Sequence, residues 1–296
     1  MSRIYNRGKP IRSFQSIRTA NFESDVNNIQ SVKSQLSFSN DKNRISFIDT
    51  QSTDSAYDTS GVYNVSIGIL SGSNSQGDYC VSIGNKSGQT SQRENAIAIG
   101  NNAGNLSQDD SSISIGLNSG STCQKNFAVA IGRSAGVINQ GTSAVSIGTN
   151  SGSNEQGNYS IGIGEGAGSE CQKSSAIAIG YNAGQTNQDV NSIAIGQGAG
   201  QEDQNPYSIA IGFSVGTLNL GASSIAIGNK IESTTPGTIV LNVAPSTEDP
   251  FVTSGPGFYV NGGSEGGGIQ NGGSFGGNLR YLAYDIVSKQ IVFIDV

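Results

Sequence analysis

A sixteen-residue repeat fills the middle of this chain, from residue 64 to residue 230, and restricts its fold more than any other feature. Each copy contains the phrase small–Ile/Val–small–Ile–Gly, and eleven copies follow one another without a change of spacing. A period of this length is typical of proteins that stack one supersecondary unit per repeat. The glycines that end the phrase are Gly68, Gly84, Gly100, Gly116, Gly132, Gly148, Gly164, Gly180, Gly196, Gly212 and Gly228.

Apolar and small residues alternate within each copy, as Ile193 and Ile195 do with Ser192 and Ala194. This period of two indicates a strand with two unlike faces. Copies stacked in register predict an all-β fold, a parallel β-solenoid or β-roll of sixteen-residue coils. We expect the Ile and Val columns to form its core, and the small-residue face to receive a partner. The second apolar column consists of Ile67, Ile83, Ile99, Ile115, Ile131, Ile147, Ile163, Ile179, Ile195, Ile211 and Ile227.

Two further columns complete the repeat. A second glycine follows the first by four residues, and both are expected at corners because glycine adopts positive φ without penalty. A short second strand is expected after the second glycine. Four residues later comes glutamine, which forms either a ladder of stacked amides or a polar contact surface, and the unbroken column favours the ladder. The column consists of Gln76, Gln92, Gln108, Gln124, Gln140, Gln156, Gln172, Gln188 and Gln204.

The chain contains no His, which excludes much catalytic chemistry. The commonest general base, the usual zinc ligand and the Ser-His-Asp arrangement all require that residue. Cys80, Cys123 and Cys171 lie in no metal-ligand spacing and are expected to be reduced thiols. We therefore expect no enzyme, and no catalytic, cofactor-binding or metal site.

The repeat units also carry a family resemblance. NAIAIGNNAGNLSQ (95–108) and SAIAIGYNAGQTNQ (175–188) resemble the head repeats of trimeric autotransporter adhesins, and more closely the repeats of fibre or surface proteins of large DNA viruses. The resemblance covers about residues 64–230. It implies a left-handed parallel β-roll in which three chains lie side by side around one axis, as a head or stalk on a surface.

The segment after the last repeat resembles the part that follows such repeats in viral fibre proteins. There, a strand of the IVLN type and a GFYV phrase lead to a terminal Tyr-rich hairpin, and both phrases occur here, followed by NLRYLAYDIVSKQIVFIDV. Residues 231–296 are therefore expected to form a small β tip domain, or C-terminal cap, with a Gly-rich loop.

The N-terminal region differs from the repeat in charge. Residues 1–44 carry a local charge of +5 and the remainder −11. This asymmetry predicts an anchoring arm that docks on a capsid or other virion protein, with a solvated flexible terminus as the alternative. NRISFIDT (43–50) predicts a strand that caps the first coil, within a capping region at 45–63. The basic residues that begin the arm are Arg3, Arg7, Lys9, Arg12 and Arg18.

Taken with the resemblance, these features predict a structural fibre or spike of a virus particle, acting in host attachment or as capsid decoration. No signal peptide and no membrane-anchor barrel are seen, so we expect a virion protein made in the host cytoplasm, without membrane insertion. A bacterial cell-surface trimeric adhesin head is the alternative. The expected partners are two further copies in a homotrimer and a virion protein bound by the arm, with a host surface receptor as a further candidate. Neither a cofactor nor nucleic acid is expected, since no nucleic-acid-binding module accompanies the basic residues.

Overall fold

The computed structural model describes residues 61–242 in full and, outside them, the backbone of six short strands. In these parts the chain is all-β, and parallel strands stack as a solenoid with sixteen residues per coil. The fold class predicted from the repeat is confirmed. Among the described residues there is no helix of the length and hydropathy that a membrane crossing requires.

The main sheet takes one strand from each repeat, and each strand pairs in parallel with the strand sixteen residues further on. Val65 aligns with Val81 and Ile67 with Ile83, and this register continues to the last repeat. The strands are β3 Val65–Ile67, β4 Val81–Ile83, β6 Ile97–Ile99, β8 Ile113–Ile115, β10 Val129–Ile131, β12 Val145–Ile147, β13 Ile161–Ile163, β14 Ile177–Ile179, β15 Ile193–Ile195, β16 Ile209–Val215 and β17 Ile225–Ser233.

A second parallel sheet lies after the second glycine of four repeats, where the sequence predicted a short strand. Single bridges between equivalent residues carry the same column onward from Ile138 as far as Leu218. Each of these coils therefore has a second wall besides the main sheet, formed by a strand or by a single bridge. The strands of the second sheet are β5 Thr90–Gln92, β7 Leu106–Gln108, β9 Thr122–Gln124 and β11 Ile138–Gln140.

Both glycine columns occupy corners, as predicted. The first has φ between 121° and 137°, and a Cβ at Gly116 would lie 2.5 Å from the carbonyl oxygen of Gly132 in the next coil. The second has φ between 50° and 63°, and a Cβ at Gly104 would lie 2.5 Å from Oε1 of Gln108. The glycine and glutamine columns are therefore linked, because the amide fills the space beside the glycine.

The main sheet extends beyond the repeat at its N-terminal end. Strand β2, Arg44–Asp49, pairs in parallel with β3, which confirms the predicted capping strand. Strand β1, Ser34–Ser39, pairs antiparallel with β2 and lies inside the region predicted as the arm. The basic residues at the start of the arm, from Arg3 to Arg18, lie outside the described residues.

Parallel pairing also continues past residue 230 into the predicted tip region. Strand β18, Ile239–Asn242, pairs with β17, and β20, Phe258–Asn261, pairs with β18. The short strand β19, Phe251–Val252, pairs with β17 as well. The terminal segment forms an antiparallel hairpin of β21, Arg280–Asp285, and β22, Gln290–Asp295. The IVLN and FYVN segments are thus further strands of the main sheet, and the antiparallel hairpin is the expected one.

The interior of the coil holds small residues and glutamines rather than the Ile and Val columns. The middle residue of each repeat strand, such as Ala98 or Ala130, is fully buried, whereas the residues on either side of it are half-buried or exposed. The prediction that the Ile and Val columns form the core is therefore wrong, because the space between the two sheets is already filled by the glutamine side chains. The prediction that the small-residue face receives a partner is wrong for the same reason, since that face points into the coil. The residues that lie on the outer face instead are Ile67, Ile83, Ile99, Ile115, Ile131, Ile147, Ile163, Ile179, Ile195, Ile211 and Ile227.

Candidate assembly interface

The glutamine column forms the polar interior of the coil. Nε2 of Gln140 donates to the carbonyl oxygen of Val129 in the main sheet at 2.8 Å and to Oε1 of Gln156 in the next coil at 3.1 Å. Seven of the eight steps between successive glutamines have such an amide–amide bond. All nine glutamines are no more than 2% exposed. This arrangement is the ladder that the column favoured, and not a contact surface.

Serines of the main sheet complete the interior hydrogen bonding. The hydroxyl of Ser146 donates to Oε1 of Gln156 at 2.6 Å, and that of Ser114 to Oε1 of Gln124 at 2.7 Å. Where the middle residue of the strand is alanine, this bond is absent and the small side chain only fills space. The buried polar groups of the coil interior therefore have hydrogen-bond partners, and no large apolar side chain fills the space.

Large apolar side chains are buried only near the C-terminal end of the described coils. Val215, Leu220, Ile231 and Val240 are all inaccessible to solvent and belong to one cluster. Leu220 stands where the glutamine column would continue, so the ladder ends against this cluster. In the preceding coils, most of the apolar surface of each repeat therefore lies on the outside.

The outer side of the main sheet is a long apolar strip, which we call the Ile/Val face. It consists of the first and third residues of the eleven repeat strands, and all 22 are Ile or Val. Even the most exposed of them, Ile131, Ile147, Ile195 and Ile227, are only 36–38% exposed, so each side chain is partly covered by its neighbours. At about 4.8 Å per coil it is on the order of 50 Å long, and it contains no charged residue.

Two columns of exposed and half-buried residues border the Ile/Val face. The aromatic border lies two residues before each strand and runs from Tyr63 to Ser223, and the opposite border lies two residues after each strand and runs from Ile69 to Asn229. The rings of Tyr63 and Tyr79, in adjacent coils, stack with centroids 5.1 Å apart and planes within 4°. The border residues thus form columns that run parallel to the Ile/Val face, along the axis on which the coils stack.

The charged and nucleophilic groups of residues 61–242 lie outside the Ile/Val face. Arg93 and Lys125 both pair with Asp109, at 3.3 and 3.7 Å, on the exposed side of the coil. Burial raises the pKa of the Cys80 thiol to about 11, with nearby carboxylates acting in the same direction. Among residues 61–242 no three potential metal ligands come together.

Sequence reasoning found the columns of this interface but not their placement. Strict alternation identifies two faces without indicating which one is inside. The border columns were not singled out, although their irregular aromatic residues beside an invariant apolar pattern are a readable signal. No protein-family model matches the chain, and neither does any curated protein or solved structure.

Proposed function

We propose that this chain is a structural fibre protein that assembles with copies of itself through the Ile/Val face. The observation that carries the proposal is the inverted placement of apolar residues, with glutamine, alanine and serine inside and 22 Ile and Val residues outside. Soluble monomers rarely expose continuous apolar patches larger than a few hundred Å², and larger patches mark interaction sites.

A second copy of the chain is the partner that fits this face best. The face is uncharged and periodic at about 4.8 Å, so apolar side chains at the same spacing would cover it most completely. The Ile/Val face of another copy does so along its entire length. Side chains of one copy would then lie against equivalent side chains of the next.

The gain from covering the face is large compared with the stability of a single domain. If each of the 22 residues loses on the order of 30 Å² of apolar surface, burial at about 25 cal/mol per Å² contributes on the order of 15 kcal/mol per copy. The net stability of an ordinary domain is about 5–15 kcal/mol. A coil with a polar interior would therefore depend on assembly for much of its stability.

We further propose that the assembly contains three copies and belongs to the surface of a virus particle. The support for three copies is the resemblance of the repeats to trimeric heads, and the support for a virion is their closer resemblance to viral fibre repeats. The excess of positive charge in residues 1–44 supports attachment through that end.

A matched pair of variants in one coil tests the self-association. Ile131 lies on the Ile/Val face and Ile138 on the second sheet, and their exposures are similar at 36% and 42%. We expect Ile138→Glu to keep the mass of the wild-type assembly, about three times 30.4 kDa, in light scattering. Ile131→Glu should reduce that mass to one copy or prevent folding.

The outcomes separate the parts of this proposal. A wild-type chain that is a folded monomer overturns self-association, as does an Ile131→Glu variant that assembles normally. A stable dimer contradicts the number three only. Mass spectrometry of purified virus particles should detect the chain, whereas its recovery from a bacterial envelope would identify an adhesin instead.

A further inference from the structure

Five of the eleven positions of the aromatic border hold a large ring in a backbone conformation that disfavours it. The φ angles of these five residues lie between 58° and 61°, in the left-handed region that Asn tolerates and bulky residues rarely adopt. The other six positions hold Asn or Ser. The rings are Tyr63, Tyr79, Phe127, Tyr159 and Tyr207.

Apart from the stacking of Tyr63 on Tyr79, these rings gain little from the chain that carries them. Their exposures range from 51% to 64%, so most of their surface is not buried in a single chain. Strained backbone at exposed side chains indicates a role outside the folding of the segment itself. The neighbouring position along the surface is the Ile/Val face, so the rings lie where an assembled copy would approach.

The opposite border is equally irregular. It carries large apolar side chains at Ile69, Leu117, Tyr181 and Phe213, which are 41–52% exposed. It also carries Arg133 and Glu165, both exposed, which are the only charged residues in either border. Among residues 61–242, neither of them forms an ion pair.

We propose that in the assembly the aromatic border of one copy packs against the opposite border of the next copy at the same coil level, and that this contact fixes the axial register. The inference rests on the proposed function. The Ile/Val face repeats the same pattern in every coil. It therefore determines which surface a partner binds, but it specifies only weakly by how many coils the partner is shifted along the axis. Non-periodic side chains beside a repeated face specify register more strongly than the face alone, and the borders supply them.

Pairing at the same level gives apolar contacts near both ends of the repeat. In the first coil Tyr63 of one copy would meet Ile69 of the next. In the tenth coil Tyr207 would meet Phe213. Each contact would cover exposed apolar surface that the single chain leaves in water, at two points far enough apart to oppose tilting as well as sliding.

The two charges of the opposite border give the sharper discrimination. At the same level Arg133 meets the face of Phe127, a favourable cation–π arrangement, and Glu165 meets the hydroxyl of Tyr159, a hydrogen-bond donor. A shift of one coil in either direction would remove both contacts and place each charge beside a serine. The serines are Ser111, Ser143 and Ser175.

A double-mutant cycle tests the pairing, because the two residues of a pair are far apart within one copy. Strand β10, Val129–Ile131, separates Phe127 from Arg133, a distance on the order of 15–20 Å for near-extended chain. Any direct coupling between them must therefore act between copies. The association constant would be obtained from the concentration dependence of unfolding for Phe127→Ser, Arg133→Ser and the double variant.

We expect each single variant to weaken association about twofold to fivefold per interface, and the double variant to weaken it no more than the stronger single. The control cycle combines Arg133→Ser with Tyr159→Ser, two coils away, and should be additive. Additivity of the Phe127 and Arg133 variants would overturn the pairing. Coupling of Phe127 to Leu117 instead would reveal an offset of one coil and overturn the same-level register. A wild-type chain that does not associate contradicts the proposed function itself.

Discussion

Nε2 of Gln156 donates a hydrogen bond to Oε1 of Gln172, sixteen residues further on, at 3.1 Å, and another to the carbonyl oxygen of Val145 at 2.9 Å. One buried side chain thus joins two successive coils and the main sheet. Because a buried amide without partners is costly, each glutamine stabilises the adjacent glutamines of the ladder and is stabilised by them. The ladder replaces the hydrophobic core that such a narrow coil has no room for.

The ladder predicts a difference between two glutamines of one coil. Gln204 is buried and bonds to the carbonyl oxygen of Ile193 at 2.8 Å, whereas Gln201 is half-buried and bonds to Oε1 of Gln185 at 3.1 Å. We expect Gln204→Ala to lower the free energy of unfolding by about 2–4 kcal/mol, because it leaves a cavity and unpaired groups. Gln201→Ala should change it by no more than about 0.5 kcal/mol. Denaturant unfolding measures both, and equal losses would show that the buried ladder has no special role.

The corner glycines predict a second contrast. Gly116 has φ of 130°, and an added Cβ would lie 2.5 Å from the carbonyl oxygen of Gly132. Gly237 also has positive φ, at 72°, but an added Cβ would meet nothing within 4 Å. We expect Gly237→Ala to cost about 1–2 kcal/mol from backbone strain alone, and Gly116→Ala to cost at least about 3 kcal/mol because strain and a backbone clash add. Similar thermal midpoints for the two variants would contradict the close approach of successive coils.

Much of this fold follows from the period of the sequence. Eleven unshifted copies determine the parallel register, and the glycine columns determine the corners, because positive φ and a close carbonyl oxygen leave no alternative residue. The glutamine column also follows, since only coil-to-coil stacking makes one residue type useful at every repeat. These features depend on geometry within one sixteen-residue unit and between that unit and the next, and both are the same in every repeat.

The assignment of inside and outside did not follow from alternation. The alternation of Ile97 and Ala98 fits a strand with either residue facing inward. The usual preference for buried isoleucine favours Ile97 inside, whereas the structure buries Ala98. The deciding quantity is interior volume, which depends on how far the two sheets lie apart. That separation is set by glutamine side chains reaching from the second sheet to the main sheet. The separation of the sheets is therefore a property of the three-dimensional structure, and the pattern within one strand does not contain it.

The buried thiol gives a prediction about reactivity. Cys80 is inaccessible, and its Sγ–H donates to the carbonyl oxygen of Arg93 at 2.8 Å. Burial raises its pKa to about 11, so little thiolate exists at pH 8. We expect a thiol reagent at pH 8 to modify Cys123 and Cys171 in the native protein and to spare Cys80 until unfolding. Because burial and the Glu155 contact raise the pKa of Cys171 as well, that residue should react slowly.

The same shift predicts a pH dependence of stability. The pKa of Cys80 is raised from 9.0 in the unfolded chain to about 11 in the folded one, so the folded state favours the protonated thiol. Its contribution is fully present below pH 9 and is lost as the pH rises toward 11. The free energy of unfolding of the wild type, relative to Cys80→Ser, should therefore fall across that window. A constant difference would mean that the thiol remains accessible.

Two truncations separate attachment from folding at the N-terminal end. Strand β1, Ser34–Ser39, covers the edge of β2, Arg44–Asp49, which pairs with the first repeat strand. Deletion of residues 1–33 keeps both strands and removes the basic residues from Arg3 to Arg18 and Lys33. Under the proposed virion role, this variant should assemble with an unchanged unfolding midpoint and fail to enter particles.

Deletion of residues 1–43 provides the contrast, because it also removes β1 and exposes the edge of β2 to pairing with other chains. We expect a lower unfolding midpoint and a tendency to aggregate, a defect of folding rather than of docking. Quantitative mass spectrometry of particles formed with each variant distinguishes the two defects. If the variant lacking only residues 1–33 enters particles at the wild-type level, the basic arm is not the anchor. Attachment through the opposite end, where parallel strands continue past the last repeat, is then the arrangement to test.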